Sequence, residues 1–166
     1  ERDSIGEIEV NDDVLWGAQT QRSFNNFKIG TEKMPLEVIK ALTRLKKACA
    51  ISNNKLEKLS DEKKDLIVGA CDEILDHQHD NEFPLAVWQT GSGTQSNMNV
   101  NEVIAHIANK KYGSNIIHPN DDVNKSQSSN DTFPSAIHIA LKHMIDSELI
   151  EELENTEKVL EKLMEE

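Results

Sequence analysis

The chain has 166 residues, of which 37% are apolar and 29% charged, a balance typical of a folded globular protein. Acidic residues outnumber basic ones by 30 to 18. The resulting net charge of −12 argues against a nucleic-acid partner, because phosphate binding needs clustered Lys and Arg. No apolar run reaches the ~18 residues that a membrane span needs, and no signal peptide is expected at an N-terminus this polar.

The first part of the chain combines a short irregular region with a helix. Alternating residues at 5–10 and a predicted turn at 16–20 indicate a small β-hairpin or irregular arm. Pro35 suits the first position of a helix that ends near Leu56. Apolar side chains recur along it at helical spacing: Ile39, Leu42 and Cys49.

Two more helices are predicted in the middle of the chain. Ser60 is a good N-cap for the first, and its buried face is predicted to carry Ile67, Ala70, Cys71, Ile74 and Leu75. A polar loop at residues 76–82 follows. The second begins after the Gly-rich residues 90–94 and ends near Gly113. Its predicted apolar stripe contains Met98, Val103, Ile104 and Ile107.

The C-terminal part is predicted to be one long helix. A mostly polar loop occupies residues 114–129, and Thr132 and Pro134 then provide good helix-opening chemistry. Leucine and isoleucine follow mostly three or four residues apart, at Ile137, Leu141, Ile145, Leu149, Leu153, Leu160 and Leu163. Because this pattern has no stop signal, it predicts a bundle or coiled-coil helix, and we expect the chain to continue beyond residue 166.

Two polar clusters lie immediately before predicted helices and are the best candidates for a binding site. The first contains Ser92, Gly93 and Thr94; the second contains Ser128, Ser129 and Asn130. Hydroxyls and free backbone N–H groups at a helix start can bind an anion such as a carboxylate without Lys or Arg. On the pattern alone, ordinary helix capping is the more common explanation of both clusters, and an anion site is the alternative.

The histidines and cysteines are weaker evidence for a functional site than the two polar clusters. His118, followed by Pro119, could act as a general base, and His77 and His79 have no further metal ligands at suitable spacing. Cys49 and Cys71 are expected to be reduced, buried thiols, because they lack C-x-x-C spacing.

Four runs of sequence together resemble class II fumarase. They are WGAQTQR at 16–22, WQTGSGTQSNMNVNE at 88–102, HPND at 118–121 and NKSQSSND at 124–131. They occur in the order found in that family and cover essentially the whole chain. The related aspartate ammonia-lyases tend to differ at three of these motifs, so that activity is the alternative; a non-catalytic, truncated assembly module is another.

The resemblance implies a mainly α-helical fold with a small irregular or β N-terminal arm. Residues 1–130 would form a helical N-terminal lyase domain, and residues 131–166 the first, incomplete helix of a central helical bundle. It also implies a homotetramer whose active sites combine residues from different subunits. A cytoplasmic location is expected, with a mitochondrial one, after removal of a transit peptide, as the alternative.

The resemblance also assigns roles to residues. Ser92, Gly93, Thr94, Ser128, Ser129 and Asn130 match the family's substrate-carboxylate contacts. His118, Pro119, Asn120 and Asp121 match a second, non-catalytic dicarboxylate site. The implied reaction is the reversible hydration of fumarate to L-malate without a metal or organic cofactor. The segments that hold the family's acid and base are not in this sequence, so we expect no catalytic residue in the chain and no activity from it alone.

Overall fold

The structure, a computed structural model, describes residues 1–165. These residues are mainly α-helical, as predicted. A two-stranded sheet, β1 (Arg2–Asp3) and β2 (Gly6–Glu7), comes first. The helices follow: α1 (Ala18–Asn26), α2 (Leu36–Lys55), α3 (Asp61–Leu75), α4 (Thr94–Tyr112), α5 (Ser129–Met144) and α6 (Ile150–Glu165). None of the described helices is both long enough and apolar enough to span a membrane.

The N-terminal arm is the small hairpin that the sequence predicts. Its strands are antiparallel, with Arg2 opposite Glu7 and Asp3 opposite Gly6. Arg22 of α1 donates to both oxygens of the Asp3 carboxylate, at 2.8 and 3.0 Å. The hairpin is therefore held on the helical body by a charge-assisted, two-point contact.

Helix α1 corrects the prediction of a turn at residues 16–20. The chain is helical from Ala18, and the start of this helix is stabilised by the buried carboxylate of Glu102 on α4. A distant residue thus provides the acceptor that a local capping side chain usually supplies. The local sequence contains no sign of this contact.

Helices α2 and α3 agree with the sequence pattern. Pro35 is the residue before α2 rather than its first residue, and the Ser60 hydroxyl caps α3 by accepting from the Lys63 N–H at 3.3 Å. Four of the five predicted core residues of α3 are buried, and Leu75 is half-buried. The two helices pack against each other and contribute most of the core on one side of α4.

Helix α4 lies at the centre of the fold. The sequence predicts one apolar stripe, but the helix is buried on nearly all sides from Ser96 to Asn109, with the polar Asn99 and Asn101 also enclosed. Gly113 ends it, as predicted. Because α4 is enclosed, its first turn is held rigidly against the neighbouring elements.

The C-terminal helix begins at Ser129, three residues earlier than predicted, since Ser128 caps it. A π-helical turn at Ile145–Leu149 joins α5 to α6 without leaving helical backbone geometry. The residues that α5 buries are Thr132, Ala136 and Ala140, whereas Leu141, Leu149 and Leu153 are more than half exposed. The predicted apolar stripe exists, but within the described chain much of it faces solvent.

Candidate functional site

The first polar cluster forms a tight turn at the start of α4. Gly93 is the residue before the helix and has a φ of +70°, which favours glycine. A Cβ atom at this position would lie 2.1 Å from the Phe133 ring of α5, so no side chain fits here. Gly93 offers no side-chain cap, and the N–H groups of the first turn of α4 therefore remain open to a ligand.

The second cluster starts α5 and lies directly beside the first. The Ser129 hydroxyl is 3.1 Å from the Thr94 hydroxyl, which in turn is 3.0 Å from that of Ser92. Ser128 acts as a cap, because its hydroxyl accepts from the Asn130 N–H at 3.3 Å. The structure thus brings the two clusters into one surface site, with Ser92, Thr94, Ser128 and Asn130 exposed.

The chemistry of this site favours a small anion. Two helix N-termini converge on it, and each carries a partial positive charge from its backbone dipoles. The hydroxyls of Ser92, Thr94 and Ser129 can reorient to donate toward a bound oxygen. A carboxylate accepts several such bonds at once, so the converged clusters offer an anion of this kind more donors than either cluster alone.

A buried polar network that the sequence analysis missed supports both helix starts. The Lys46 ammonium donates to the side-chain oxygens of Asn124, at 2.8 Å, and Gln127, at 2.9 Å. Asn97 also donates to the Asn124 oxygen, at 3.1 Å, and accepts from the Thr132 hydroxyl at 3.2 Å. Helical spacing could have revealed that Lys46 is buried, because it lies on the same face of α2 as three buried neighbours: Leu42, Thr43 and Ala50.

The burial of Lys46 changes its acid–base behaviour. The side chain is wholly enclosed, and removal of water lowers the pKa of the Lys46 ammonium from 10.5 to about 7, although interactions with Cys49 and Cys71 oppose this shift. Burial also raises the pKa of the Cys71 thiol to about 12. Both cysteines are free, as expected; Cys71 is buried and Cys49 half-buried.

The 118–121 segment lies apart from this site, at the edge of a cleft of about 580 Å³. His118, Pro119 and Asn120 line the cleft together with Arg2 of the hairpin. The His118 ring accepts from the Asp121 N–H at 3.1 Å and so caps a π-helical turn at Pro119–Val123. Asp121 is exposed and does not line the cleft with the other three. His118 therefore has a structural role that the sequence did not predict.

Comparison with known proteins identifies the family. The sequence matches the family described as "Lyase" over residues 6–166. This chain belongs to the lyase family.

Relatives of this lyase chain include enzymes named class II fumarate hydratase. The Staphylococcus epidermidis protein is 61% identical over 153 residues, which cover 90% of this chain and 33% of the relative. The Prochlorococcus marinus protein is 56% identical over 166 residues, covering 97% and 36%. The lyase chain therefore spans about a third of the length of the curated relatives that it matches.

Solved structures show the same fold. Class II fumarase from Schistosoma mansoni superposes with a TM-score of 0.85 at 46% identity, over 87% of this lyase chain and 32% of that protein. A fumarate lyase:delta crystallin from Brucella melitensis gives 0.85 at 42% identity, over 88% and 34%.

Metal-ligating residues do not cluster in the part of this chain that the structure describes. His77 is 2.7 Å from Asp80, and it also contacts Lys40. His79 instead is 3.2 Å from Glu73. The two histidines thus have separate partners.

Proposed function

We propose that this chain supplies the carboxylate-binding segments of a fumarate hydratase, which interconverts fumarate and L-malate in the tricarboxylic acid cycle. The observation that carries this proposal is the 3.1 Å contact between the Thr94 and Ser129 hydroxyls. It joins two separate sequence motifs into one anion site, in a chain that is 61% identical to an enzyme named fumarate hydratase. Each motif by itself would be explained by ordinary helix capping.

The reaction explains why such a site is useful. A base removes a proton from the malate carbon next to one carboxylate, and this carboxylate becomes a dianion as the carbon acid ionises. The hydroxyl group on the neighbouring carbon then leaves as water after an acid protonates it. Because charge accumulates on the carboxylate, the hydroxyls of Ser92, Thr94 and Ser129 and the N–H groups at the start of α4 stabilise the transition state. In enzymes that stabilise an oxyanion, one such donor contributes about 2.7–4 kcal/mol.

The acid and the base of this reaction are proposed to come from the two thirds of the relatives' length that this chain does not match. We further propose a homotetramer in which different subunits complete each site. The apolar surface of α6 supports this assembly, because Leu153, Leu160 and Leu163 are each more than half exposed. A surface of this kind is normally covered by a partner.

A second, non-catalytic dicarboxylate site is proposed at residues 118–121. The cleft that contains His118 and Asn120 also contains Arg2, whose guanidinium is suited to a carboxylate. The boundary between the two domains is proposed to lie between residues 130 and 131, and the protein is proposed to work in the cytoplasm.

Enzyme activity tests the proposal directly. The full-length protein containing this chain is assayed by the loss of fumarate absorbance in water and again with added ammonium; the 166-residue chain is assayed in parallel. We expect turnover in water alone by the full-length protein and none by the chain. Turnover that requires ammonium would establish aspartate ammonia-lyase activity instead, and inactivity of the full-length protein would favour a non-catalytic module.

A further inference from the structure

Lys46 is the charged residue whose position the proposed reaction does not explain. Its side chain is wholly buried in α2, where Lys is rarely found unless it is paired. No carboxylate within the described residues forms an ion pair with it. Its hydrogen-bond partners are two neutral amide oxygens, on Asn124 and Gln127. The folded chain thus encloses a cation without a counter-charge.

The network around Lys46 reaches both helix starts in a few hydrogen bonds. Asn124 connects the ammonium to Asn97, whose backbone N–H donates to the Gly93 carbonyl at 3.0 Å. Asn97 in turn accepts from the Thr132 hydroxyl, and the Thr132 N–H donates to the Ser128 carbonyl at 2.9 Å. One buried cation is therefore connected to the first turn of α4 and to the first turn of α5.

The surroundings of Lys46 leave its charge uncompensated near neutral pH. Cys49 on its own helix and Cys71 on α3 are the titratable groups that interact with it, and burial raises the pKa of both thiols, which keeps them neutral. The loop after the π-helical turn presents Asn124 and Gln127, and α4 presents Asn97 and Asn101, which are also neutral. On α5, Asp131 acts on Cys49. A dianion bound above the network would supply the missing negative charge.

We propose that Lys46 is a positioning residue for the dicarboxylate site, because it ties the first turns of α4 and α5 together through Asn124 and provides a buried positive charge beneath both. This inference rests on the proposed function. Binding of a dicarboxylate favours the ammonium form, so proton uptake by Lys46 accompanies binding. The affinity for a dianion consequently decreases as pH rises from 6.5 to 8.5.

The test uses the 166-residue chain with succinate as the probe. Lys46→Gln removes the charge but keeps two N–H donors for Asn124 and Gln127. Lys47→Gln is the matched control, since it removes the same charge from the next position of α2, where Lys47 forms a partly exposed ion pair with Asp72. Dissociation constants are measured by NMR between pH 6.5 and 8.5. At pH 6.5 we expect Lys46→Gln to weaken binding about tenfold, the order of one moderately screened charge–charge interaction.

Three results distinguish the possibilities. Wild type and Lys47→Gln are expected to lose affinity with rising pH, and Lys46→Gln to show a flat profile. If Lys46→Gln instead keeps both the affinity and the pH profile of the control, Lys46 has no positioning role. If the wild-type chain does not bind succinate at any pH, this inference fails, whereas the proposed function is decided separately by the turnover of the full-length protein.

A pH titration without succinate tests the hydrogen-bond network around Lys46 independently of ligand binding. The side-chain amide resonances of Asn97 and Asn124 should titrate together in the wild type and in Lys47→Gln, with a midpoint near the pKa of about 7 that burial gives Lys46. They should not titrate in Lys46→Gln. Amides that do not respond to pH in the wild type would overturn the inference even if succinate binds.

Discussion

The Glu102 carboxylate accepts two hydrogen bonds from Thr20, one from its hydroxyl at 2.6 Å and one from its backbone N–H at 3.1 Å. The same carboxylate accepts from the N–H groups of Gly17 and Gln19, both at 2.9 Å. One buried side chain of α4 thus caps the whole first turn of α1. This contact joins two of the motifs that the sequence shares with class II fumarase, and it gives both of them a structural explanation.

Replacing Glu102 by Gln should destabilise the fold by roughly 2–4 kcal/mol, because an NH₂ group then faces backbone donors in a buried position. Urea unfolding measures the change. Glu161→Gln on the exposed surface of α6 is the control and should be nearly neutral. An equally small effect at Glu102 would show that α1 does not depend on this cap.

Replacing Gly93 by Ala should disrupt the start of α4. The positive φ alone costs about 1 kcal/mol for an L-residue, and the overlap with the Phe133 ring raises the total to roughly 2–4 kcal/mol. Gly91→Ala is the matched control two residues away, where a Cβ atom meets nothing within 4 Å. Thermal unfolding should separate the two variants clearly; equal melting temperatures would contradict the geometry described for Gly93.

Stability should rise between pH 7 and pH 9 because of Lys46. Its pKa in the folded chain is about 7, below the 10.5 of an unfolded lysine, so the unfolded state binds more protons across this range. Stability therefore increases with pH, by about 2 kcal/mol over this interval. Urea unfolding at several pH values checks this. Lys46→Gln should remove the slope, and a wild-type slope that persists in Lys46→Gln would assign it to another group.

Removing single hydroxyls from the proposed site should lower activity without unfolding the protein. In the full-length protein, Thr94→Val or Ser129→Ala is expected to reduce kcat/KM for the proposed substrate fumarate by about 10²–10³, the effect of losing one preorganised donor. Steady-state kinetics and circular dichroism are measured together. Ser114→Ala, in the exposed segment after α4, is the control and should retain full activity. Unchanged kinetics in both site variants would exclude these hydroxyls from the reaction.

The exposed apolar surface of α6 should cause the chain to self-associate. The double variant Leu153→Glu/Leu160→Glu places charges in the middle of this surface, and it should convert an associated chain to a monomer in analytical ultracentrifugation. Lys158→Glu also changes a charge on α6 but leaves those leucines in place, so it should remain associated. Equal behaviour of the two variants would indicate that another surface mediates association.

The sequence predicts those features of the fold that depend on local chemistry. The hairpin, the Ser60 cap, the end of α4 at Gly113 and the long C-terminal helix all depend on residues within a few positions. Where the fold depends on contacts between residues far apart in sequence, the prediction from the sequence is missing or wrong. Thr20 is helical because of Glu102, 82 residues away, and Lys46 is buried against Asn124, 78 residues away.

In the candidate site too, the sequence predicts what depends on local residues but not what depends on distant contacts. Ser92, Thr94, Ser128 and Ser129 are recognisable as helix-start residues, and the resemblance gave them a role. Thr94 and Ser129 meet because α4 packs against α5. No local sequence pattern encodes that packing. The cap that His118 provides was likewise invisible, because it depends on the conformation of the turn that follows it.

The central claim is that both helix starts bind one dicarboxylate, and amide chemical-shift mapping of the ¹⁵N-labelled chain with succinate tests it most directly. We predict that the amides of Gly93, Thr94, Ser129 and Asn130 shift together and give one common dissociation constant. Shifts at only one of the two clusters, or only at residues 118–121, would contradict the claim that Thr94 and Ser129 belong to a single site.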